Sequence, residues 1–456
     1  MDFAGKRITV MGLGRFGGGV GVARWLCAQG ADVLVTDTDT PDKLTDSLAA
    51  IHPLIDSGQI SLRLGEHNVS DFTTCDLVVA NVAVPKPWEN RFLRAAEAAR
   101  IPVATEISLL IDHLPAHTRA RTIAVTGSAG KSTTTAMIHH ALTAALRPTG
   151  AQVLLGGNIG GSLLGELDRI DERTWLVLEL SSAMLYWLER TGEGTRRWSP
   201  HIAVATNLSP NHIDWHGDLT HYRAAKQSLI RHQSPRDTVI LGDSIWDWRE
   251  LTAAATARID PATFSLPMKL PGDHNRTNAA AAALACRAAI PTADPSIIDR
   301  AIADFAGLAH RLQLVAEVQL APGEPLRFYN DSKSTTPESC LKALEALGDL
   351  PGFSTSRIHL IAGGYDKGSD LTPIAAAAAR LARLYTIGKT GPALAAAAGE
   401  RAAECGTLEL AFDTALAAMR PGDALLLSPG CASWDQFVNF EQRGERFVKL
   451  VEGLVN

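Results

Sequence analysis

The chain has 456 residues, of which 46% are hydrophobic and 20% are charged. Its 43 Lys and Arg against 49 Asp and Glu give a formal net charge of −6, which argues against the broad basic surface of a nucleic-acid-binding protein. No uninterrupted apolar run approaches the roughly 18 residues of a membrane span, and the length predicts about three domains.

Short β-branched runs alternate with Ala-rich stretches along the chain, which predicts parallel sheets with crossover helices. The predicted strands are Ile8–Met11, Val33–Thr36, Leu77–Ala80, Thr122–Val125, Trp175–Leu178, Ile202–Thr206, Ile358–Ala362, Leu384–Ile387 and Ala424–Leu427. A helix and a linker are predicted over 105–120. The Ala runs Ala253–Ala255, Ala279–Ala283 and Ala375–Ala379 are interpreted as helix faces. We therefore predict three α/β domains over 1–106, 107–309 and 310–456.

The cysteines are scattered at positions 27, 75, 286, 340, 405 and 431, without CxxC spacing. This pattern predicts free thiols in a reducing cytoplasm and excludes a paired-cysteine metal site. The first residues are interpreted as a strand that runs into a glycine turn, not as a signal peptide. We expect a cytoplasmic monomer that binds neither nucleic acid nor a membrane.

The first glycine turn comprises Gly12–Gly17 and follows the first predicted strand. Its glycines at 12, 14 and 17 have GxGxxG spacing, and Asp37 ends the next predicted strand. Such glycines let the backbone approach a diphosphate at a helix N-terminus, and the acid would bind a ribose hydroxyl. The pattern predicts diphosphate binding without identifying NAD as the ligand. A tight turn without a ligand stays an alternative.

The phosphate loop, defined as Thr126–Thr133 (TGSAGKST), lies between a predicted strand and an amphipathic helix. Amides of such a loop cradle phosphates, Lys131 would reach the β- and γ-phosphates, and Ser132 would bind Mg²⁺. The spacing differs from the common Walker pattern, because Val125 stands where that pattern has glycine. The loop predicts ATP binding by Gly127, Ser128, Ala129, Gly130, Lys131, Ser132 and Thr133.

Polar residues also follow the next two predicted strands. Glu179 ends one of them, at the sheet edge where a Mg²⁺ ligand is expected beside a phosphate loop. His212 and His216 are four residues apart, but no third ligand for zinc is evident, and a single His that assists Mg²⁺ stays open. By its position alone, Lys226 is interpreted as a surface lysine.

Taken together, the motifs resemble those of the Mur ligase family of peptidoglycan synthesis, and most closely its glutamate-adding members. The motifs are TGSAGKST, GGNIG (156–160), ELSS (179–182), NLSPNHIDWHG (207–217), YRAAK (222–226), PGDHNRTNAAAA (271–282), HR (310–311), NDSKSTT (330–336), GGYDKG (363–368) and LSPGCASWDQFVNFEQRG (427–444). The resemblance implies a Rossmann-like N-terminal domain for a UDP-sugar, a central P-loop-type ATPase domain and a Rossmann-like C-terminal α/β domain that binds glutamate.

The resemblance implies that ATP phosphorylates the alanine carboxylate of UDP-N-acetylmuramoyl-L-alanine. The amine of glutamate, with D-glutamate favoured, then attacks the acyl phosphate, and the other products are ADP and phosphate. Two Mg²⁺ ions are implied, and the first glycine turn is reassigned from NAD to the UDP-sugar. A Mur-type or folylpolyglutamate synthetase-like ligase with another acceptor stays an alternative, as does an NAD-binding oxidoreductase.

The resemblance also implies roles for individual residues, with Lys226 carried as a carbamate. The implied catalytic residues are Lys131, His212 and Lys226. The implied Mg²⁺ ligands are Ser132, Glu179, His212 and Lys226. Further ATP contacts are implied for Asn278, Arg311 and Asp331. The implied UDP-sugar contacts are Gly14, Arg15, Phe16, Asp37 and Asn158. The implied glutamate contacts are Lys333, Thr335, Lys367, Ser433 and Phe440.

Some positions depart from the family pattern. Asn81–Pro85 replaces a usual Ser-Pro-Gly sequence, and Ala183 with Met184 replaces Phe-Gln. Thr336 stands where Asn is common, and Asn211 stands where an acid precedes the histidine. These departures bear on the contacts to the nucleotide sugar more than on the use of ATP.

Overall fold

The computed structural model describes residues 2–14, 18–190, 198–270, 272–319, 322–350, 353–365 and 369–454. The chain forms two compact units, Met1–Phe264 with Ala280–Asp299 and Ser265–Ala279 with Arg300–Asn456. Two α/β sheets lie in the first unit and a third lies in the second. Within the described residues, no helix has both the length and the apolar character needed to cross a bilayer.

The first sheet is parallel, and its described strands have the order β3-β2-β1-β4-β5. The strands are β1 (Arg7–Met11), β2 (Asp32–Asp37), β3 (Ile60–Leu64), β4 (Leu77–Ala80) and β5 (Val103–Ala104). The helices are α1 (Val20–Ala28), α2 (Thr45–Asp56), α3 (Val69–Thr73) and α4 (Arg91–Ala98). Because β1 pairs with both β2 and β4, the strand order reverses beside β1. A ligand crevice is expected at the carboxyl ends of these strands.

The second sheet is also parallel, and its described strands have the order β11-β10-β9-β6-β8-β7. The strands are β6 (Thr122–Thr126), β7 (Val153–Gly157), β8 (Trp175–Glu179), β9 (Ile202–Ala205), β10 (Thr238–Leu241) and β11 (Ala255–Arg258). The helices are α5 (Glu106–His113), α6 (Lys131–Leu146), α7 (Ser182–Arg190), α8 (Ile213–His216) and α9 (Leu219–Arg231). In the register, Val125 lies opposite Glu179 and Thr126 lies opposite Ala205, so the phosphate loop begins beside the ends of β8 and β9.

Two helices, α10 (Asp273–Ala289) and α11 (Pro295–Ala303), precede the third sheet. The described strands of that sheet have the order β12-β13-β17-β14-β15-β16, with β12 antiparallel to β13. The strands are β12 (Gln313–Val318), β13 (Leu326–Asn330), β14 (Ile358–Gly363), β15 (Arg383–Ile387), β16 (Ala402–Gly406) and β17 (Ala424–Leu427). The helices are α12 (Pro337–Gly348), α13 (Thr372–Ala377), α14 (Gly391–Ala398), α15 (Leu408–Ala418) and α16 (Phe440–Glu452).

One buried hydrophobic cluster runs through both sheets of the first unit. It includes Val10 from β1, Leu110 from α5, Leu178 from β8 and Leu185 from α7. Helix α5 begins at a capping box in which the Thr105 side chain accepts from the Ser108 amide and the Thr105 amide donates to Ser108 Oγ. Apolar residues of this helix belong to the same cluster as both sheets, and the shared core explains why the two sheets form one compact unit.

The α/β fold class and the nine predicted strands are confirmed, and the strand ends agree within one residue. The predicted helix and linker over 105–120 is also confirmed as α5 followed by a 3₁₀ segment, Ala116–Arg121. The helix expected at Ala253–Ala255 is wrong, because Ala255 begins the edge strand β11, which pairs with β10. The predicted domain limits at 106/107 and 309/310 stay predictions.

Candidate active site

The phosphate loop depends on two glycines with positive φ. Gly127 has φ +145°, and a Cβ added there would overlap Thr206 Oγ1. Gly130 has φ +81° and caps the N-terminus of α6. Side chains rarely adopt such backbone conformations, so both positions favour glycine. The first turn of α6 then places the amides of Ser132 and Thr133 at a helix N-terminus, where backbone amides bind phosphate.

The end of β9 fixes the shape of the phosphate loop. Asn207 Oδ1 accepts from the Ala129 amide at 2.9 Å, and Asn207 Nδ2 donates to the Ala129 carbonyl at 3.1 Å. Thr206 Oγ1 donates to the same carbonyl at 2.6 Å, and the Ser128 amide donates to the Asn207 carbonyl at 3.0 Å. In the sequence, Asn207 follows the predicted strand Ile202–Thr206 and begins the NLSPNHIDWHG motif, and no role was implied for it. The chain itself therefore holds this loop in a cradle conformation.

Two lysines bond to carbonyl groups of the phosphate loop. Lys131 Nζ donates to the Ser128 carbonyl at 3.0 Å, and Lys226 Nζ donates to the Gly127 carbonyl at 2.8 Å. Lys226 is only 2% exposed, so its interpretation as a surface lysine is wrong. Burial lowers the pKa of Lys226 well below its usual range, and the charge of Lys131 lowers it further while Glu179 opposes the shift. A buried amine of this kind loses its proton more readily than a surface lysine.

Glu179 at the end of β8 is fully buried beside the phosphate loop. Its Oε1 accepts from Asn158 Nδ2 at 2.8 Å, whereas Oε2 has no hydrogen-bond partner among the described residues. The Asn158 amide also donates to the Glu179 carbonyl at 2.9 Å. An unpartnered carboxylate oxygen is unfavourable in a buried site, because it has lost water without gaining a donor or a cation.

The two histidines of the loop after β9 contact different groups. His212 precedes α8 with φ +52°, and desolvation followed by the charges of Lys131 and Lys226 lowers its pKa. His216 is buried, and its ring nitrogens lie 2.9 Å from Ser182 Oγ and 2.9 Å from His221 Nδ1. In the described part of the chain, no three His, Cys, Asp or Glu side chains are grouped as metal ligands. The Mg²⁺ ligands that the resemblance implies therefore include Ser132 and Lys226 in addition to Glu179 and His212.

The first glycine turn bonds to the acid at the end of β2. Gly14 has φ +75°, and its amide donates to Asp37 Oδ2 at 3.0 Å. Asp37 Oδ1 accepts from the Asp39 amide at 2.9 Å, and Ser47 Oγ donates to the Gly14 carbonyl at 2.6 Å. The predicted contacts Arg15 and Phe16 lie outside the described residues. The Gly14 amide, at the described end of this turn, is thus already bonded to the Asp37 carboxylate.

A cleft of about 310 Å³ connects the first glycine turn with the residues beside Glu179. Gly12, Asn81, Glu106, Asn158 and Met184 are among the residues that line it. Asn81 and Met184 belong to two of the four departures from the family pattern, so these two departures lie in one cleft. Ser162 Oγ donates to Glu106 Oε1 at 2.6 Å, and burial raises the pKa of Glu106.

In the second unit, Asp331 follows β13 and is buried. Its carboxylate accepts from Ser428 Oγ at 2.7 Å and from the Leu312 amide at 3.0 Å. Burial raises the pKa of Asp331 to about 7, although these hydrogen bonds oppose the shift. His310 and Leu312, which lie in the loop before β12, have positive φ values of 63° and 44°. A strained loop next to a buried acid is an arrangement typical of ligand sites.

The sequence did not single out Arg443, which is 1% exposed at the centre of the second unit's polar site. Arg443 donates to Ser332 Oγ at 2.9 Å, to the Ser332 carbonyl at 2.7 Å and to the Cys431 carbonyl at 3.2 Å. It therefore joins the NDSKSTT segment to the LSPGCASWDQF segment. The sequence signal for Arg443 was its place in the quoted motif LSPGCASWDQFVNFEQRG (427–444), three residues after Phe440, although no role was implied for it.

The predicted glutamate residues lie around these two segments. Lys333 Nζ lies 5.0 Å from the centre of the Phe440 ring, and Ser433 is buried. Thr335 lines a small cavity of about 10 Å³ together with Cys431 and Ala432. Lys367 lies outside the described residues.

Two family models match the chain, the Mur ligase middle domain over residues 125–266 and the Mur ligase, glutamate ligase domain over residues 310–431. The chain is 36% identical over 499 residues to a protein of Roseiflexus sp. (strain RS-1) named UDP-N-acetylmuramoylalanine--D-glutamate ligase, and the match covers 99% of both chains. The chain belongs to the Mur ligase family. A second ligase of the same name, from Symbiobacterium thermophilum, is 34% identical with 98% of both chains covered.

Solved Mur ligases have the same fold as this chain. The MurF structure from Acinetobacter baumannii matches with a TM-score of 0.51 at 16% identity and covers 100% of this chain and 92% of that chain. The MurF ligase from Thermotoga maritima, solved in complex with ADP, matches with a TM-score of 0.52 at 16% identity, covering 99% and 96%. The three-domain α/β class of the Mur ligases is therefore confirmed for this chain.

The structure groups the implied Mur ligase residues within each unit. In the first unit, Asn158 bonds to Glu179, and Lys131 and Lys226 bond to the phosphate loop. In the second unit, Arg311 lies in the strained loop beside Asp331, and Asn278 Nδ2 donates to Asn275 Oδ1 at 3.0 Å on α10. Of the residues implied to contact ATP, Gly127–Thr133 belong to the first unit, and Asn278, Arg311 and Asp331 belong to the second.

Proposed function

We propose that the chain is an ATP-dependent ligase of peptidoglycan synthesis that joins D-glutamate to UDP-N-acetylmuramoyl-L-alanine. The observation that carries the proposal is the full-length similarity to proteins named for that reaction. The buried grouping of Lys226 and Glu179 at a lysine-bearing phosphate loop supports the use of ATP. ADP and phosphate are the other products.

A carboxylate is a poor electrophile, so amide formation at neutral pH needs a leaving group on the acyl carbon. The alanine carboxylate oxygen attacks the γ-phosphorus of ATP, ADP leaves, and an acyl phosphate forms. The amine of glutamate then attacks the carbonyl carbon, loses a proton and expels phosphate. In this proposal Lys131 and the N-terminal amides of α6 stabilise the negative charge on the transferred phosphoryl group.

The residues near the phosphate loop fit a Mg²⁺ ion. Glu179 Oε2 is a buried oxygen without a hydrogen-bond partner among the described residues, and Ser132 is buried at the start of α6. Oxygen ligands of these types suit Mg²⁺. We propose that Ser132 and Glu179 hold one ion, and that His212 and Lys226 hold a second. The ions would neutralise charge on the phosphates.

Lys226 would serve as a Mg²⁺ ligand only after modification, because an ammonium group repels a cation. Its burial and the nearby Lys131 lower its pKa, which favours the neutral amine. Addition of CO₂ to that amine forms a carbamate and releases one proton. The product has the anionic oxygens that Mg²⁺ prefers.

Substrate binding is assigned to two further sites. The cleft lined by Gly12 and Asn158 would hold the UDP-sugar, since Asn158 bonds to Glu179, and Gly14 and Asp37 of the first glycine turn would contact the same ligand. Lys333, Thr335, Lys367, Ser433 and Phe440 would hold glutamate, whose two carboxylates require paired cationic and amide donors. Asn278, Arg311 and Asp331 would contact ATP.

We also propose that the protein acts as a cytoplasmic monomer. All six cysteines are buried free thiols, which is consistent with a reducing compartment. Light scattering after size-exclusion chromatography measures the oligomeric state directly, and a dimer mass would contradict the monomer.

The direct test is to incubate the full chain with Mg-ATP, UDP-N-acetylmuramoyl-L-alanine and either D- or L-glutamate. We expect ADP, phosphate and the glutamyl product with D-glutamate. Omission of either the nucleotide sugar or glutamate should prevent product formation. Formation of AMP and pyrophosphate would contradict the acyl-phosphate route, and product only with L-glutamate would reassign the amino acid.

A further inference from the structure

A second cavity of the first unit, with a volume of about 260 Å³, shares no lining residue with the cleft described above. Its walls come from the turn after β4, the end of α4, β5 and α7. We propose that this cavity binds a small planar anion, namely an aromatic ring that carries a phosphate or a carboxylate group. This inference goes beyond the ligase reaction and does not depend on it.

Aromatic side chains form one wall of the cavity. The ring centres of Trp88 and Tyr186 are 5.5 Å apart, and those of Tyr186 and Trp187 are 5.8 Å apart. Trp215 packs edge-on against Tyr186 at 5.5 Å and donates through Nε1 to the Val82 carbonyl at 3.2 Å. Trp215 therefore helps to fix Tyr186, and the rings that line the cavity have a fixed arrangement. Aromatic side chains contact a planar ring favourably in both edge-to-face and offset-stacked arrangements.

Two arginines line the same cavity. The Arg190 guanidinium lies 5.1 Å from the centre of the Tyr186 ring and also donates to Tyr186 Oη. Among the described residues, neither Arg190 nor Arg100 forms an ion pair with a carboxylate. Glu97 is a third charged residue of the lining and leaves a net positive charge. Planar guanidinium groups bind phosphate and carboxylate oxygens in pairs, so the cavity combines a ring-stacking wall with an anion site.

The backbone at Arg100 gives independent support. Arg100 has φ +58° at the end of α4, where its amide donates to the Glu97 carbonyl at 3.0 Å and the Ile101 amide donates to the Ala96 carbonyl at 2.9 Å. This left-handed position after a helix is where glycine is least strained. The chain instead has an arginine there, and that arginine lines the cavity. Strain that persists at a binding residue is typical of function.

The test is calorimetric titration of the full chain with phenyl phosphate, which combines the ring and the anion. Phenol and inorganic phosphate are the separate parts, and benzoate replaces the phosphate by a carboxylate. We expect saturable one-to-one binding of phenyl phosphate and at least about tenfold weaker binding of each part. Comparison with benzoate identifies the preferred anion. Quenching of tryptophan fluorescence should follow the same curve, because Trp88 and Trp187 line the cavity.

Two substitutions test whether phenyl phosphate binds in this cavity. Arg100→Gly should weaken phenyl phosphate at least about tenfold and raise Tm, because it removes the cation and relieves the strain. The matched control is Lys86→Gly, since Lys86 has φ +42° but does not line the cavity. It should raise Tm without changing binding. Unchanged affinity in Arg100→Gly, absence of saturable binding, or competitive displacement by UDP-N-acetylmuramoyl-L-alanine or Mg-ATP would overturn the proposal.

Discussion

The two glycine-rich turns of the first unit, the first glycine turn and the phosphate loop, follow strands in the same way but contact side chains of opposite charge. Both join a parallel strand to a helix, and both need glycines with positive φ. In the first glycine turn, the Gly14 amide donates to the carboxylate of Asp37. In the phosphate loop, the neutral side chains of Thr206 and Asn207 hold the backbone, and two lysines bond to its carbonyls.

This difference indicates which turn suits a highly charged ligand. A carboxylate bonded to a backbone amide occupies a donor that a triphosphate would use and repels its charge, whereas the same carboxylate can accept from a ribose hydroxyl of a nucleotide sugar. Two lysines and a helix N-terminus instead attract several negative charges. A glycine pattern alone therefore defines a tight turn, and the groups bonded to that turn determine its ligand.

The largest effect is expected for Lys226→Ala, which removes the buried amine from the phosphate loop. The proposed carbamate would be lost, and we expect turnover to fall by about 10³-fold. A short carboxylic acid such as acetate should restore part of the activity by supplying an oxygen ligand. The control is Arg223→Ala on the same helix, which removes only a surface ion pair with Asp247. Equal activity of the two variants would contradict the role of Lys226.

Gly127→Ala should destroy the shape of the phosphate loop, because the added Cβ overlaps Thr206 Oγ1 at an unfavourable φ. We expect the free energy of unfolding to fall by about 2–3 kcal/mol and the KM for ATP to rise steeply. Gly150→Ala is the matched control, since φ is +69° there and nothing lies within 4 Å of the added Cβ. The control should lose only about 1 kcal/mol and keep its KM. Similar losses would show that contact with Thr206 is unimportant.

Asp37→Asn removes the charge beside the first glycine turn and leaves only one side-chain oxygen to accept from the Gly14 and Asp39 amides. Because the Asp37 carboxylate is the proposed acceptor for a ribose hydroxyl of the UDP-sugar, we expect the KM for that substrate to rise about tenfold, while kcat and the KM for ATP stay unchanged. Asp42→Asn, at an exposed position after β2, is the control. A change in the KM for ATP would contradict the assignment of separate ligands to the two turns.

The buried Lys226 should also make stability depend on pH. Its pKa is lowered in the folded state, so the unfolded chain binds the proton more tightly than the folded chain. Raising the pH toward the usual value of 10.5 therefore favours the folded state. We expect the difference in unfolding free energy between wild type and Lys226→Met to shift in favour of wild type as pH rises from about 7 to 10. A flat difference would show that Lys226 titrates normally.

The smallest effect is expected for Met184→Gln, which introduces an amide into the cleft beside the first glycine turn. The KM for the UDP-sugar should fall by no more than about threefold, because one neutral hydrogen bond contributes little net free energy. A loss of activity would show that Met184 packs against the substrate through its apolar surface.

The fold was largely predictable from local sequence patterns. The confirmed strands are short β-branched or Leu-rich runs that are buried on both faces of parallel sheets. Strands such as β11 (ATAR) and β16 (AAECG) lack that pattern. Each lies at the edge of its sheet, where pairing with one neighbour determines the conformation and hydrophobicity does not.

The candidate site was predictable where chemistry is concentrated in a motif, as in the phosphate loop. Its supporting residues were not, because Thr206, Asn207 and Arg443 act through contacts that join distant parts of the sequence. From its position in the sequence, Lys226 was predicted to be exposed, but it is buried. Its burial depends on how α9 packs against the phosphate loop, which the sequence does not show. The family resemblance implied a role for Lys226 but not its contacts with Gly127 and Thr126.

The most direct test of the proposed reaction follows the oxygen atoms of the substrate. UDP-N-acetylmuramoyl-L-alanine is labelled with ¹⁸O in both alanine carboxylate oxygens and is converted with Mg-ATP and D-glutamate. An acyl phosphate transfers one labelled oxygen to the leaving phosphate, so mass spectrometry should find one ¹⁸O per phosphate released. Unlabelled phosphate formed together with the amide product would contradict the proposed reaction.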